Sequence, residues 1–207
     1  MRSSSSAWLW GAIAVVAAIL LVGAYMSLNL VGDRVGAQSS VRSATGEYAS
    51  YVGPEAVCPG ANALDAPADA QQTTMLCLLN YARNVRGLAP LATQPALMSS
   101  ARIKAADIAR CRDFSHTACG ATVLSAFERA AYVSPYRDSR YGENLAWGAT
   151  DAGSPRGALV GWLESQEHRE NLFREEWTEQ GISLVYVGDF RGIADSRIWV
   201  SHFGHRG

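Results

Sequence analysis

Residues 182–203, ISLVYVGDFRGIADSRIWVSHF, break the helical period that governs the chain before them. Ile182, Leu184 and Tyr186 alternate with Ser183, Val185 and Val187, and Ile198, Val200 and His202 alternate with Trp199, Ser201 and Phe203. A repeat of two is the mark of strands, and the stretch from Gly188 to Asp195, with its Gly and Asp residues, is expected to turn one strand into the other. Upstream the spacing is helical. Ser154 and Pro155 offer a cap and a first helical residue, after which Leu159, Trp162 and Leu163 share a face. A helix is expected over Pro95 to Arg110, with Leu97, Ala101, Ala105 and Ile108 as its apolar stripe, and another over Ala121 to Ala131. The first begins near Gln71, follows Met75, Leu76, Leu79, Ala82 and Val85, and meets a stop at Gly87. Helices first and an antiparallel pair last define an α+β layered domain.

The 207 residues leave room for one such domain, a leader and a linker. With 18 Lys and Arg against 19 Asp and Glu, mixed along the chain, there is no basic footprint, so nucleic acid is excluded as a partner. Arg2 and four serines precede an apolar run from Ala7 to Met26 that has no polar face. Its length matches the roughly 20 residues a bilayer-spanning helix needs. The chain is therefore divided into a cytoplasmic stretch 1–6, a transmembrane anchor or uncleaved signal 7–31, a linker 32–70 and a domain 71–207. Cleavage after about Ala37 would instead release the domain. The expected partner of the N-terminal helix is thus the membrane, in a single pass with the C-terminal domain extracytoplasmic.

Basic residues flanking the run barely decide orientation, but the cysteines do better. Cys58, Cys77, Cys111 and Cys119 all follow the run, and an even set in an exported domain reads as two disulfides. Three pairings are open. The favoured one joins Cys58 to Cys77, stapling the segment before the first helix, and Cys111 to Cys119, closing a short loop. Each closure is worth about 2–4 kcal/mol. No C-x-x-C pair offers a thiolate zinc site.

Four polar residues stand out on this framework: His116, Glu143, Glu164 and His168. Glu164 and His168 lie four apart, on one side of one expected helix, opposite Leu159 and Leu163 and beside Gly161. That face is either solvent or a cleft. Plain structural roles compete: a solvated ion pair for Glu164 and His168, a turn carboxylate for Glu143, a loop histidine for His116. His202 and His205 read as a sheet-face histidine and an exposed tail residue. The chain has neither the H-E-x-x-H of zincins nor the G-x-S-x-G of a nucleophile elbow.

Met75 to Leu88, Phe114-Ser115-His116, Gly142-Glu143-Asn144-Leu145-Ala146, Trp162 with His168-Arg169 and Asn171-Leu172, Gly181-Ile182, and Trp199 to Gly204 occur in the order seen in bacterial CAP domains. Over residues 71–204 the chain resembles that superfamily of cysteine-rich secretory, antigen 5 and pathogenesis-related 1 proteins (the SCP domain). The resemblance implies an α/β/α sandwich with a small antiparallel sheet between helices. It also implies a cleft of two histidines and two acids, in which His116, Glu143 and His168 match, with Glu164 or its rival Glu167 as the second acid. Some members hold a divalent, zinc-like metal there, which would fall to His116 and His168. Three functions follow as expectations: a module binding a small apolar, lipid-like or cell-envelope ligand; a metal-dependent hydrolase with Glu143 or Glu164 as base; or a structural surface domain.

Overall fold

The computed structural model describes residues 46–133 and 138–207. The expected transmembrane segment 7–31 lies outside them, and among the described residues no helix is long and apolar enough to cross a membrane.

In chain order the elements are α1 (Ala68–Val85), β1 (Ala92–Thr93), α2 (Pro95–Cys111), α3 (Val123–Arg129), β2 (Ser139–Gly148), α4 (Thr150–Gly153), α5 (Pro155–Glu164), α6 (Gln166–Leu172), β3 (Glu179–Phe190) and β4 (Ile193–Arg206). The strands form one sheet in the order β1-β3-β4-β2. Its β3/β4 and β4/β2 pairs are antiparallel, whereas β1 runs parallel to β3. The sheet is therefore mixed, not wholly antiparallel as expected. The departure is local: β1 is two residues, too short to show any period.

Both faces of the sheet are covered, as an α/β/α sandwich requires. On one face Ile182, Leu184, Trp199 and Phe203 pack with Met75, Leu79, Leu159 and Trp162 of α1 and α5. On the other, Leu145, Ile198 and Val200 pack with Ala101, Ala105 and Ile108 of α2. Gly181 marks how closely α2 approaches, because a Cβ there would overlap the backbone of Leu97 and Met98. The turn between the last two strands is tighter than the expected Gly188 to Asp195 loop. Pairing continues to Phe190 opposite Ile193, leaving Arg191 and Gly192, both at positive φ, as a two-residue hairpin turn.

Two boundaries move. The expected linker 32–70 is, from residue 46 on, part of the domain, since Val52, Cys58 and Ala61 are buried in the α1/α5 core. Arg156 fastens this segment by donating to Asn62 Oδ1 and to the Gly53 carbonyl, both at 3.0 Å. The disulfides are Cys58–Cys77 and Cys111–Cys119, with Cα separations of 5.7 and 5.5 Å. The helix starting at Pro155 also ends early. Ser165 adopts an extended conformation (φ −84°, ψ 122°) and begins a second helix, α6.

Candidate functional site

Glu143 belongs to a strand, which rules out the competing plain role of a turn carboxylate after Gly142. β2 is an edge strand, and Glu143 pairs with His202 of β4 while Asn144 pairs with Ser201. Because successive residues of a strand face opposite sides, Glu143 turns toward the α2 layer and Asn144 toward the α5/α6 layer. An edge position lets both reach the rim.

The Glu143 side chain is 1% exposed, and both carboxylate oxygens are engaged. Oε1 accepts from His116 Nδ1 at 2.6 Å and Oε2 accepts from His202 Nε2 at 2.8 Å. Lys104 Nζ stands 3.9 Å from Oε1 and donates to the His116 carbonyl. Burial alone would raise the Glu143 pKa. The hydrogen bonds from the two imidazoles and the charge of Lys104 outweigh it and hold the carboxyl below its ordinary range.

The tautomers follow. Burial depresses the pKa of His202, which has no exposed surface, against the pull of Glu143. A neutral His202 that donates from Nε2 must accept at Nδ1, where Ser100 Oγ lies at 2.7 Å and shares its one proton between this nitrogen and the Leu97 carbonyl at 2.9 Å. His116 spends its Nδ1 proton on Glu143, which leaves Nε2 as its remaining polar atom, on a side chain 51% exposed. Ser100, His202, Glu143 and His116 thus form one chain of hydrogen bonds from the core to the surface.

α6 supplies the opposite wall. Asn144 Nδ2 donates to the His168 carbonyl and Asn171 Nδ2 donates to Asn144 Oδ1, each at 2.9 Å. Trp177 Nε1 in turn donates to the Asn171 carbonyl at 2.8 Å. Gly142 permits this closure: a Cβ would lie 2.7 Å from Asn171 Oδ1 and 2.8 Å from Trp177 Cζ2. The chain after α6 is fixed by Arg83, a fully buried guanidinium that donates to the carbonyls of Ala89, Leu172, Arg174 and Trp177. The resulting cleft, of about 370 Å³, is lined by His116, Glu143, Asn144, Glu167, His168, Glu170, Asn171 and Arg174. Burial and then the nearby His116 lower the pKa of half-buried His168, which keeps its imidazole neutral at pH 7.

Three of the four residues singled out from sequence therefore line this cleft. Glu164 does not: it is exposed at the end of α5, and the break at Ser165 removes the shared helix face that was to align it with His168. Glu167, its rival, lines the cleft instead. His202, Ser100 and Lys104 were missed as members of the site. Ser100 and Lys104, four apart, interrupt the apolar stripe of α2, and His202 interrupts the Ile198 and Val200 face of β4. A polar residue placed in a core stripe was the available signal.

The expected divalent metal can be tested on the donors present. Both oxygens of Glu143 are taken by imidazoles, and among the described residues no three His, Cys, Asp or Glu side chains are grouped to hold an ion. His116 and His168 offer two imidazoles, one short of the three protein ligands of a catalytic zinc site. The residues do not fit such a centre.

The sequence pattern described as "Cysteine-rich secretory protein family", CAP, matches residues 76–203. Over 127 residues the chain is 29% identical to the uncharacterized protein YkwD of Bacillus subtilis (strain 168), covering 61% of this chain and 44% of that protein. Among solved structures, it is similar to an extracellular protein containing a SCP domain from Bacillus anthracis, with 24% identity and a TM-score of 0.53 over 66% of this chain and 40% of the other. It is also similar to an outer surface protein of Borrelia burgdorferi, with 21% identity and a TM-score of 0.54 over 64% and 90% of the two chains. The chain spans less than half the length of the two Bacillus proteins, and both structural likenesses concern the fold.

Proposed function

The chain belongs to the cysteine-rich secretory protein family, CAP, and from that premise we propose that its domain is an extracytoplasmic binding module, tethered through the apolar run 7–31, whose cleft takes a polar component of the cell envelope. The observation that carries this reading is the lining: all eight side chains around the cleft are polar or charged. An apolar or lipid-like ligand would strip water from these groups without replacing its hydrogen bonds, at a cost of about 1–3 kcal/mol for each one left unpaired. A ligand bearing hydroxyls and amides meets them with partners. Two disulfides suit an oxidising compartment and support the extracytoplasmic location. The hydrolase alternative has less behind it, since Glu143 has no unengaged oxygen and Glu164 stands outside the cleft.

Calorimetric titration of the compact unit Ser43–Gly207 with soluble, sugar-containing cell-wall fragments is expected to give saturable binding. His168→Ala should weaken it by about tenfold, the effect of losing one charge-free hydrogen-bonding contact of about 1.4 kcal/mol. Saturable binding to phospholipid vesicles, with none to the fragments, would overturn the reading.

A further inference from the structure

α6 separates the cleft from a second depression, of about 430 Å³, whose walls include Tyr48, Tyr51, Arg86, Arg169, Glu170 and Phe173. Glu170 lines both hollows, so they adjoin along one helix. The helix explains the division. His168 and Asn171, three apart, serve the cleft, while Arg169 and Phe173, four apart, serve the second hollow about 100° further round. The far wall comes from the segment before the first disulfide, which the domain holds through buried Val52 and Cys58.

The chemistry of this hollow differs from that of the cleft. Tyr48, Tyr51 and Phe173 form a half-buried aromatic shelf, with ring centroids 6.4 Å apart for the two tyrosines and 5.4 Å for Tyr51 and Phe173. The Arg169 guanidinium stacks 4.7 Å from the Tyr48 ring centre and is anchored by donation to the Leu163 carbonyl. Arg86 lies over Phe173 at 5.7 Å, and among the described residues its guanidinium makes no hydrogen bond or ion pair. A shelf of aromatic faces packs against the flat C–H face of a pyranose ring, and an unspent guanidinium pairs with a carboxylate in bidentate fashion. The carboxylates of Glu47 and Glu170 on the same walls accept from sugar hydroxyls and amides. A hydrocarbon chain would leave the Arg86 guanidinium and the Glu47 carboxylate without partners.

We infer that this hollow is a second subsite, taking the next disaccharide of an acidic amino-sugar chain whose neighbouring disaccharide occupies the cleft, with a sugar ring against Tyr48 and Tyr51 and its carboxylate at Arg86. The inference rests on the proposed binding of a polar envelope component in the cleft, and it names that component as a glycan long enough to span α6. A chain of alternating N-acetylglucosamine and N-acetylmuramic acid has this chemistry, with an acetamido group on every ring and one carboxylate per disaccharide.

The test uses the full chain in detergent and peptide-free chains of one, two and three such disaccharides, beside uncharged oligomers of N-acetylglucosamine of matching length. Affinity is expected to rise at least tenfold from one disaccharide to two. Tyr48→Ala, at a partly exposed ring, should abolish that rise while leaving single-disaccharide binding within twofold. Arg86→Gln should shrink the rise for the acidic chains and leave it unchanged for the uncharged ones. Binding that does not depend on length, or a rise that survives both substitutions, would overturn the subsite while the reading of the cleft stands. Tighter binding of free wall peptides than of the glycans would overturn the sugar assignment. Absence of binding at every length would remove the cleft reading and the subsite with it.

Discussion

Glu143 is a carboxylate whose two oxygens are spoken for, and that fixes what it does. It receives Nδ1–H of His116 on one side and Nε2–H of His202 on the other, so it orients imidazoles and leaves His116 Nε2 to the surface. The arrangement has a proton cost that can be measured. His202 has a folded pKa below its ordinary 6.5, and His168 shares the direction. The unfolded chain therefore takes up protons that the folded one refuses, so stability is full above about pH 6.5 and is lost as the pH falls below it. Each proton so taken up adds a slope of up to about 1.4 kcal/mol per pH unit. Glu143, depressed from 4.5, adds its own loss only at lower pH, as its folded pKa is crossed. Urea unfolding at pH 7.5 and 5.5 should show the unit Ser43–Gly207 less stable at the lower pH, and His202→Gln should reduce that difference to the part His168 contributes. An equal drop in the variant would show that His202 is not the group responsible.

Among the elements, β2 and α6 create the cleft, and neither was legible as such. β2 is an edge strand whose Gly142-Glu143-Asn144 segment puts neighbouring residues on opposite faces, and its burial is uneven along its length, so no clean alternation marks it. In sequence α6 reads as one helix with α5, because Gln166 to Leu172 continues a helical composition across Ser165, and only the backbone of that serine separates the two. The consequence is specific: a single helix aligns Glu164 with His168, whereas the break leaves its rival Glu167 on the helix that lines the cleft. What the sequence did reveal came from strong periods and stiff residues. The α2 stripe, the Pro155 start and the β3/β4 alternation all survive because each buries a continuous apolar face. Gly142 tests the packing of β2 on α6 directly. Gly142→Ala places a methyl against Asn171 and Trp177 and is expected to cost about 1–3 kcal/mol by overpacking. It should also weaken ligand binding, because the Asn171–Asn144 bond is the one displaced. Thermal unfolding unchanged from the wild type would show that α6 gives way without loss.

At the scale of the molecule, the domain is larger than its repeating patterns indicate. Its core reaches back to Val52, and the Cys58–Cys77 bridge joins a segment without helix or strand period to α1. That early segment carries no periodic signal because it packs through single residues, Val52, Cys58 and Ala61, instead of through a face. It also brings Tyr48 and Tyr51 beside α6, where Tyr51 pairs with Phe173 and Tyr48 lies under Arg169, so the wall next to the cleft is built from residues far upstream of it. The sandwich thus places its polar opening at one edge of the sheet, where β2, the loop after α2 and α6 meet. A third hollow, lined by Tyr186, Asp195 and Arg197 among others, lies on the β3/β4 hairpin and provides an internal comparison.

Amide chemical shifts of the unit Ser43–Gly207 during titration with a soluble amino-sugar chain report the ligand's position without assuming it. The account predicts that the largest changes fall at His116, Glu143, Asn144, His168 and Asn171. Changes centred on Tyr186, Asp195 and Arg197, with those five unmoved, would contradict it.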